Sequence, residues 1–224
     1  MAIQSEWKAA GHGLQLIERG ECGSTQGGRC SRELLLDDDM TRQVSTAMSK
    51  LAQRLAGILV ADLGDSIGED TAVVSRCTRS TCFLRLNRYP SCAAPSGAYG
   101  LCPHTDNDFL TILHQDGVGG LQLVKAGRWV AVKPNPGALI VNVGDLLQAW
   151  SNDRYRSVEH RVMASAARER FSVAFFLCPN YDTLIRPRCG AGEQQHCAVY
   201  ISTCSSLLTQ NLAVNSSHYT TAMG

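Results

Sequence analysis

The feature that most constrains the fold is a run of seven short apolar segments between residues 81 and 187. They are TCFLRLNR, FLTILHQ, GLQLVK, RWVAVK, ALIVNVG, SVEHRVM and RFSVAFFL. Each has strand length and is rich in β-branched or aromatic residues. Turn signals part them: Asp116-Gly117, Gly119-Gly120, Ala126-Gly127 and Pro134-Asn135-Pro136-Gly137. All seven prolines lie between Pro90 and Pro187, so the flanking segments differ in kind. Many short strands without long intervening helices predict a mainly β chain, an antiparallel sandwich or barrel. GDLLQAWSN, between two of the strands, predicts one or two helical turns.

The flanks divide the rest. In residues 37–63, Met40, Val44, Met48, Leu51, Leu55, Ile58 and Leu59 recur at helical spacing. The acidic run Asp37-Asp38-Asp39 suits the positive end of a helix. A helix is expected here, its apolar stripe covering the face of a sheet. Residues 1–36 are rich in Gly, Cys and charge with no sustained period, and are expected to be irregular and poorly ordered. Residues 188–224 are rich in Ser, Thr, Asn and Gln and are expected to form a loose tail. The organisation read from the sequence is thus 1–36, a supporting helix and connector over 37–80, a strand domain over 81–187, and the tail 188–224.

Composition closes off several function classes. A chain of 224 residues can bury one sizeable core. Twenty-one basic against 20 acidic residues leave a net charge of +1. That is no electrostatic footprint for nucleic acid. No apolar run is long enough to span a bilayer. The amino terminus has no basic region followed by an apolar one, so a secretory signal is not expected. The ten cysteines include no C-x-x-C pair and are read as reduced thiols. A cytoplasmic monomer is expected, with the nucleus as a secondary location, a small-molecule substrate, and neither a membrane nor a nucleic acid as partner.

The chemistry lies in the strand zone. His104 and Asp106 stand two apart in GLCPHTDNDFLTIL, and on a strand such residues share a face. An imidazole and a carboxylate placed this way can share a metal ion. His160, in RSVEHRVMA, is the best candidate for a third ligand, with Val158 and Val162 on its face. An H-x-D triplet alone is common, and an inward histidine is more often an ordinary core residue. Two histidines and one carboxylate on the strands of a jelly roll, however, make the facial triad of non-haem Fe(II) oxygenases, with three coordination positions left open. Arg170 and Ser172 again share one strand face. A guanidinium in a half-buried strand needs an anionic partner, and its planar fork beside a hydroxyl matches a carboxylate. The alternative is a surface ion pair with Glu159 or Glu169. Asn87 and Tyr89, in LRLNRYP, form a further element just before a proline.

The runs LNRYP, HTDNDFLTIL, GGLQLVKAGRWVAVKPNPGALIVNVGDLLQAWSNDRYRSVEHRV and RFSVAFFLCPNYDTLI strongly resemble the plant 2-oxoglutarate and Fe(II)-dependent dioxygenases. Within that superfamily they are most similar to the gibberellin 2-oxidases, in particular the branch acting on twenty-carbon gibberellins. The resemblance implies a double-stranded β-helix, the cupin-like jelly roll, with a long supporting N-terminal helix. It implies that His104, Asp106 and His160 bind Fe(II), and that Arg170 and Ser172 bind the far carboxylate of 2-oxoglutarate. Tyr89 would add a hydrogen bond to this cosubstrate with Asn87 beside it, and Arg161 would support local structure. The expected activity is that of an oxidoreductase, a dioxygenase that couples decarboxylation of 2-oxoglutarate to hydroxylation at carbon 2 of a gibberellin and so inactivates the hormone. Dioxygen is the co-reactant and ascorbate a reductant. Sister branches acting on flavonoids or other specialised metabolites remain an alternative.

Residues 1–36 and those beyond Pro187 do not share the resemblance. The metal and cosubstrate site can form from the jelly-roll strands alone. The substrate pocket is expected to lack two walls, with apolar surface exposed in their place. A catalytically impaired fragment is therefore the alternative of another class.

Overall fold

The computed structural model describes residues 4–9, 12–18, 38–63, 74–77, 81–91, 97–185 and 199–200. Its strands are β1 (Gln4–Ala9), β2 (His12–Glu18), β3 (Phe83–Tyr89), β4 (Tyr99–His104), β5 (Leu110–Gln115) and β6 (Leu121–Lys125). They continue as β7 (Arg128–Ala131), β8 (Ile140–Val143), β9 (His160–Met163), β10 (Arg170–Leu177), β11 (Leu184–Ile185) and β12 (Val199–Tyr200). The helices are α1 (Asp38–Asp62) and α2 (Asp145–Trp150). The chain is mainly β, as expected, and α1 and α2 lie where the sequence predicts them.

The strands form a six-stranded sheet in the order β1-β2-β3-β10-β5-β8 and a four-stranded sheet in the order β4-β9-β6-β7. Pairing is antiparallel throughout except between β2 and β3. The two sheets face each other as a jelly roll. The β6–β7 hairpin closes at Ala126-Gly127, with φ of 49° and 70°. Positive φ at both turn positions matches the right-handed twist of the flanking strands.

The central strands β5 and β10 of the six-stranded sheet are buried on both faces over most of their length, and they read as nearly continuous apolar runs for that reason. Along β10, Phe175 and Leu177 pack toward α1 with Leu84, Leu110 and Ile112. Ala174 and Phe176 pack between the sheets with Tyr89, Leu113, Leu121 and Val162. Each buried Leu, Ile, Val or Phe among them contributes roughly 1.5–3 kcal/mol.

Three expectations change. The buried stripe of α1 is Met48, Ala52, Ala56 and Val60, while Met40 and Ile58 are exposed. Small alanines let the helix backbone approach the sheet closely, and Leu51, Leu55 and Leu59 flank the contact half-buried. Residues 1–36 are not wholly irregular, because β1 and β2 pair and β2 joins β3 in parallel. Their alternation, as in Leu14-Gln15-Leu16, is too short to give a clear period in the sequence. The tail is not wholly loose, because β12 pairs with β11. The rest of both flanks lies outside the described residues.

Candidate metal centre

His104 closes β4 and His160 opens β9, and the two are cross-strand partners in an antiparallel pair. Opposite residues of such a pair bring their side chains together on one face. The imidazole centroids are 4.3 Å apart, tilted by 54°. Asp106 lies beyond the end of β4, so the expectation that His104 and Asp106 share a strand face is corrected. The chain turns after His104 and the turn carries the carboxylate back. Asp106 Oδ1 stands 3.7 Å from His104 Nε2 and 3.6 Å from His160 Nε2. The three ligand atoms all lie within 4.8 Å of one another. Among the described residues this is the one group of His, Cys, Asp and Glu that could hold a metal ion.

The hydrogen bonds behind the rings fix their tautomer. His104 Nδ1 contacts the Cys102 carbonyl at 2.8 Å, and His160 Nδ1 contacts the Val158 carbonyl at 3.0 Å. A carbonyl only accepts, so both Nδ1 atoms carry the proton. In its neutral form each ring then presents its Nε2 lone pair to the space beside Asp106, the form a metal ligand needs. Val158 is exposed and precedes β9, so it does not share the inward face of His160 and Val162. It serves through its carbonyl instead.

Asp106 is held from the start of α2. The Asp145 N–H donates to the Asp106 carbonyl at 2.8 Å, and the Leu146 N–H to the Asp108 carbonyl at 3.2 Å. Thr105 Oγ1 donates to Asp145 Oδ2 at 2.9 Å. Gly144 allows this approach, since a Cβ there would stand 1.9 Å from the Asp108 carbonyl oxygen.

A cavity of about 440 Å³, counting its open mouth, runs between the sheets beside the triad. Arg170 and Ser172 lie on its wall, both on β10 and both buried. The alternative of a surface ion pair does not hold, since Arg170 is buried and Glu169 pairs with Arg88 at 3.0 Å. Arg170 Nη2 instead donates to Gln115 Oε1 at 3.0 Å, and Nη1 to Ser172 Oγ at 3.3 Å. Its guanidinium lies 4.9 Å from the centroid of the Tyr89 ring. Burial lowers the Arg170 pKa from its ordinary value, against the opposing pull of Tyr89 and Asp116. Arg170 Nε and Asn87 Oδ1 are both buried without a hydrogen-bond partner. Asn87 Nδ2 meets Ser172 Oγ at 3.4 Å. Every candidate metal or cosubstrate ligand read from the sequence thus lines one cavity: His104, Asp106 and His160 together, and Asn87, Tyr89, Arg170 and Ser172 as a second cluster.

Sequence reasoning missed Gln115 and Asn142. Asn142 Nδ2 donates to Asp106 Oδ2 at 3.3 Å. The available signal was a polar residue inside an apolar strand, in TILHQ and in LIVNV. Asp108 was also passed over. It is half-buried as a residue, but its carboxyl is enclosed, and burial followed by the Asp106 charge pushes its pKa up to about 8. None of the four described cysteines is in a disulfide. Burial pushes the Cys82 thiol up to about 11 and raises Cys77 and Cys178 as well, so these three stay protonated at neutral pH.

The 2OG-Fe(II) oxygenase superfamily matches residues 80–179. Gibberellin 2-beta-dioxygenase 5 of Oryza sativa subsp. japonica is 67% identical over 147 residues, which cover 65% of this chain and 42% of that protein. Gibberellin 2-beta-dioxygenase 8 of Arabidopsis thaliana is 57% identical over 146 residues, covering 63% of this chain and 43% of that protein. The chain therefore spans less than half the length of these curated relatives. Among solved structures, JOX2 in complex with 2OG, Fe and JA is similar at a TM-score of 0.61 and 33% identity, covering 74% of this chain and 49% of that one. Sequence match, sheet architecture and converging triad agree: residues 80–179 form a 2OG-Fe(II) oxygenase domain.

Proposed function

We propose that the chain is an Fe(II)- and 2-oxoglutarate-dependent dioxygenase that hydroxylates a small hydrophobic plant metabolite, the reaction being 2β-hydroxylation of a gibberellin, which inactivates the hormone. The observation that carries this reading is the convergence of two Nε2 lone pairs and one carboxylate oxygen on one side of a cavity whose wall holds a buried arginine. The identity to gibberellin 2-beta-dioxygenases narrows the substrate class.

The residues fit the groups this chemistry needs. His104, Asp106 and His160 would hold Fe(II) on one face, two neutral imidazoles and one carboxylate being the donor set that this ion takes in oxygenases. Arg170 Nε, buried and unused, fits a carboxylate as its missing acceptor. Ser172 would add a hydroxyl donor, Tyr89 would add a hydrogen bond to the cosubstrate, and Asn87, whose Nδ2 meets Ser172 Oγ, would stand beside them as support. Bound there, Fe(II) and 2-oxoglutarate supply the activation of dioxygen that hydroxylates an unactivated C–H bond, with succinate and carbon dioxide as co-products. Ascorbate serves as reductant. The protein's part is to orient both ligands and keep water out, and the apolar wall of Leu101, Leu113, Leu121, Val162 and Phe176 serves the second task. On this reading 81–187 is the catalytic unit, 37–80 its supporting helix and connector, and the protein acts as a monomer in the cytoplasm. Among the described residues, no helix is long and apolar enough to cross a membrane.

The test is incubation of the purified chain with Fe(II), 2-oxoglutarate, ascorbate and a panel of twenty-carbon and nineteen-carbon gibberellins, reading succinate and product mass. Gibberellin-dependent succinate release with a product heavier by one oxygen is expected. Succinate release with flavonoids alone would move the substrate class. No substrate-dependent release from folded protein would favour an impaired enzyme.

A further inference from the structure

The two oxygens of Asp106 meet different partners. Oδ1 faces both histidine Nε2 atoms, at 3.7 and 3.6 Å. Oδ2 accepts a hydrogen bond from Asn142 Nδ2 at 3.3 Å. Asn142 sits on β8, a strand locked to β5 with Thr111 as its partner. The Asp106 backbone is fixed separately, its carbonyl accepting from Asp145 N–H. With the main chain held and one oxygen engaged, the carboxylate cannot rotate freely about its Cβ–Cγ bond.

We propose that Asn142 is a positioning residue that occupies Asp106 Oδ2 and so leaves Oδ1 as the single oxygen offered to the metal. The inference rests on reading the triad as a metal site. Its consequence concerns the open side of that site. A carboxylate offering both oxygens would take a second coordination position, one of the three that a chelating cosubstrate and dioxygen need. Asn142 also lines the cavity, so its amide is within the space those ligands share. Partners of this kind behind a ligand commonly change metal affinity about 10–100-fold when removed.

The experiment is an anaerobic titration of the full chain with Co(II), a visible-absorbing stand-in for Fe(II), comparing wild type with Asn142→Leu, which keeps the branched shape and removes the donor. Asn142→Ala is the second variant, for use if the leucine fails to fold. The proposal expects Co(II) affinity to fall about tenfold or more. It also expects the Co(II) bands to change in intensity, because coordination number changes when Asp106 becomes free to chelate. Melting of the metal-free variant should stay close to wild type. Unchanged Co(II) affinity and bands would overturn the proposal, as would a lowered melting temperature with unchanged bands, which marks a merely structural role. Wild type that takes up no Co(II) would overturn the metal reading itself, a failure distinct from the other two.

Discussion

Burying a guanidinium is costly unless its donors are used, and Arg170 keeps Nε unused beside a cavity. That cost is repaid when a carboxylate arrives, which makes the residue a binding group in waiting. Arg170→Lys keeps the charge but replaces the fork with a point donor. We expect the 2-oxoglutarate requirement to rise about tenfold or more, as for the loss of one hydrogen bond to a charged group. Isothermal titration of the Fe(II)-loaded protein checks this, and unchanged cosubstrate affinity would remove Arg170 from its role. Asp108 gives a pH prediction. Its pKa is raised from 3.8 to about 8, so the folded chain holds a proton that the unfolded chain releases. Folding stability of the metal-free protein should therefore fall as pH rises from about 4 to about 8 and level off above. Asp108→Asn, which stays neutral at every pH, should flatten that slope. Denaturant melts at pH 5 and pH 8 measure it, and an equal slope in both proteins would reject the buried neutral acid.

At the scale of elements, the site exists because β10 has two usable faces. Arg170, Ser172, Ala174 and Phe176 line the cavity, while Phe175 and Leu177 pack toward α1. The same alternation puts Arg85, Asn87 and Tyr89 of β3 on the cavity side. This much was legible in the sequence, because β-branched and aromatic runs with clear turns leave little choice of strand, and period two then fixes the faces. Other parts were not legible. Strand β4 carries Gly100 and Pro103, poor strand formers, and it is held by pairing to β9 rather than by propensity. The pairing of His104 with His160 is a contact between distant segments and leaves no local trace. The turn that returns Asp106 was read as strand for the same reason. Its template is Gly144, whose missing side chain admits the Asp108 backbone. Gly144→Ala should push the 106–108 turn off its seat and weaken metal binding well beyond its effect on secondary structure. A metal titration read beside circular dichroism checks this, and a variant with wild-type metal affinity would show the turn to be held elsewhere.

Across the whole molecule, two cores share one sheet, and the metal ligands sit on the far side from α1. The helix stiffens the sheet that carries Arg170 without touching the chemistry. Phe175, fully buried between the sheet and α1, anchors that arrangement. Phe175→Ala should cost about 3–5 kcal/mol, a large share of the stability of a domain this size. Urea unfolding measures it, and a cost below about 1 kcal/mol would mean that the helix is not seated as described. Apolar side chains are also left at the surface, with Met40 and Ile58 on α1 each more than 60% exposed and Val141 on β8 at 45%. Their exposure makes self-association a practical hazard in handling the chain.

The central claim is that His104, Asp106 and His160 hold Fe(II) while Arg170 holds 2-oxoglutarate against it. Anaerobic titration of the purified chain with Fe(II) and 2-oxoglutarate tests it most directly, by the weak visible charge-transfer band of the iron chelate. The account predicts a saturable band in the wild type and none in His160→Ala, which keeps only two ligands. No band in folded wild-type protein, or the same band in His160→Ala, would contradict it.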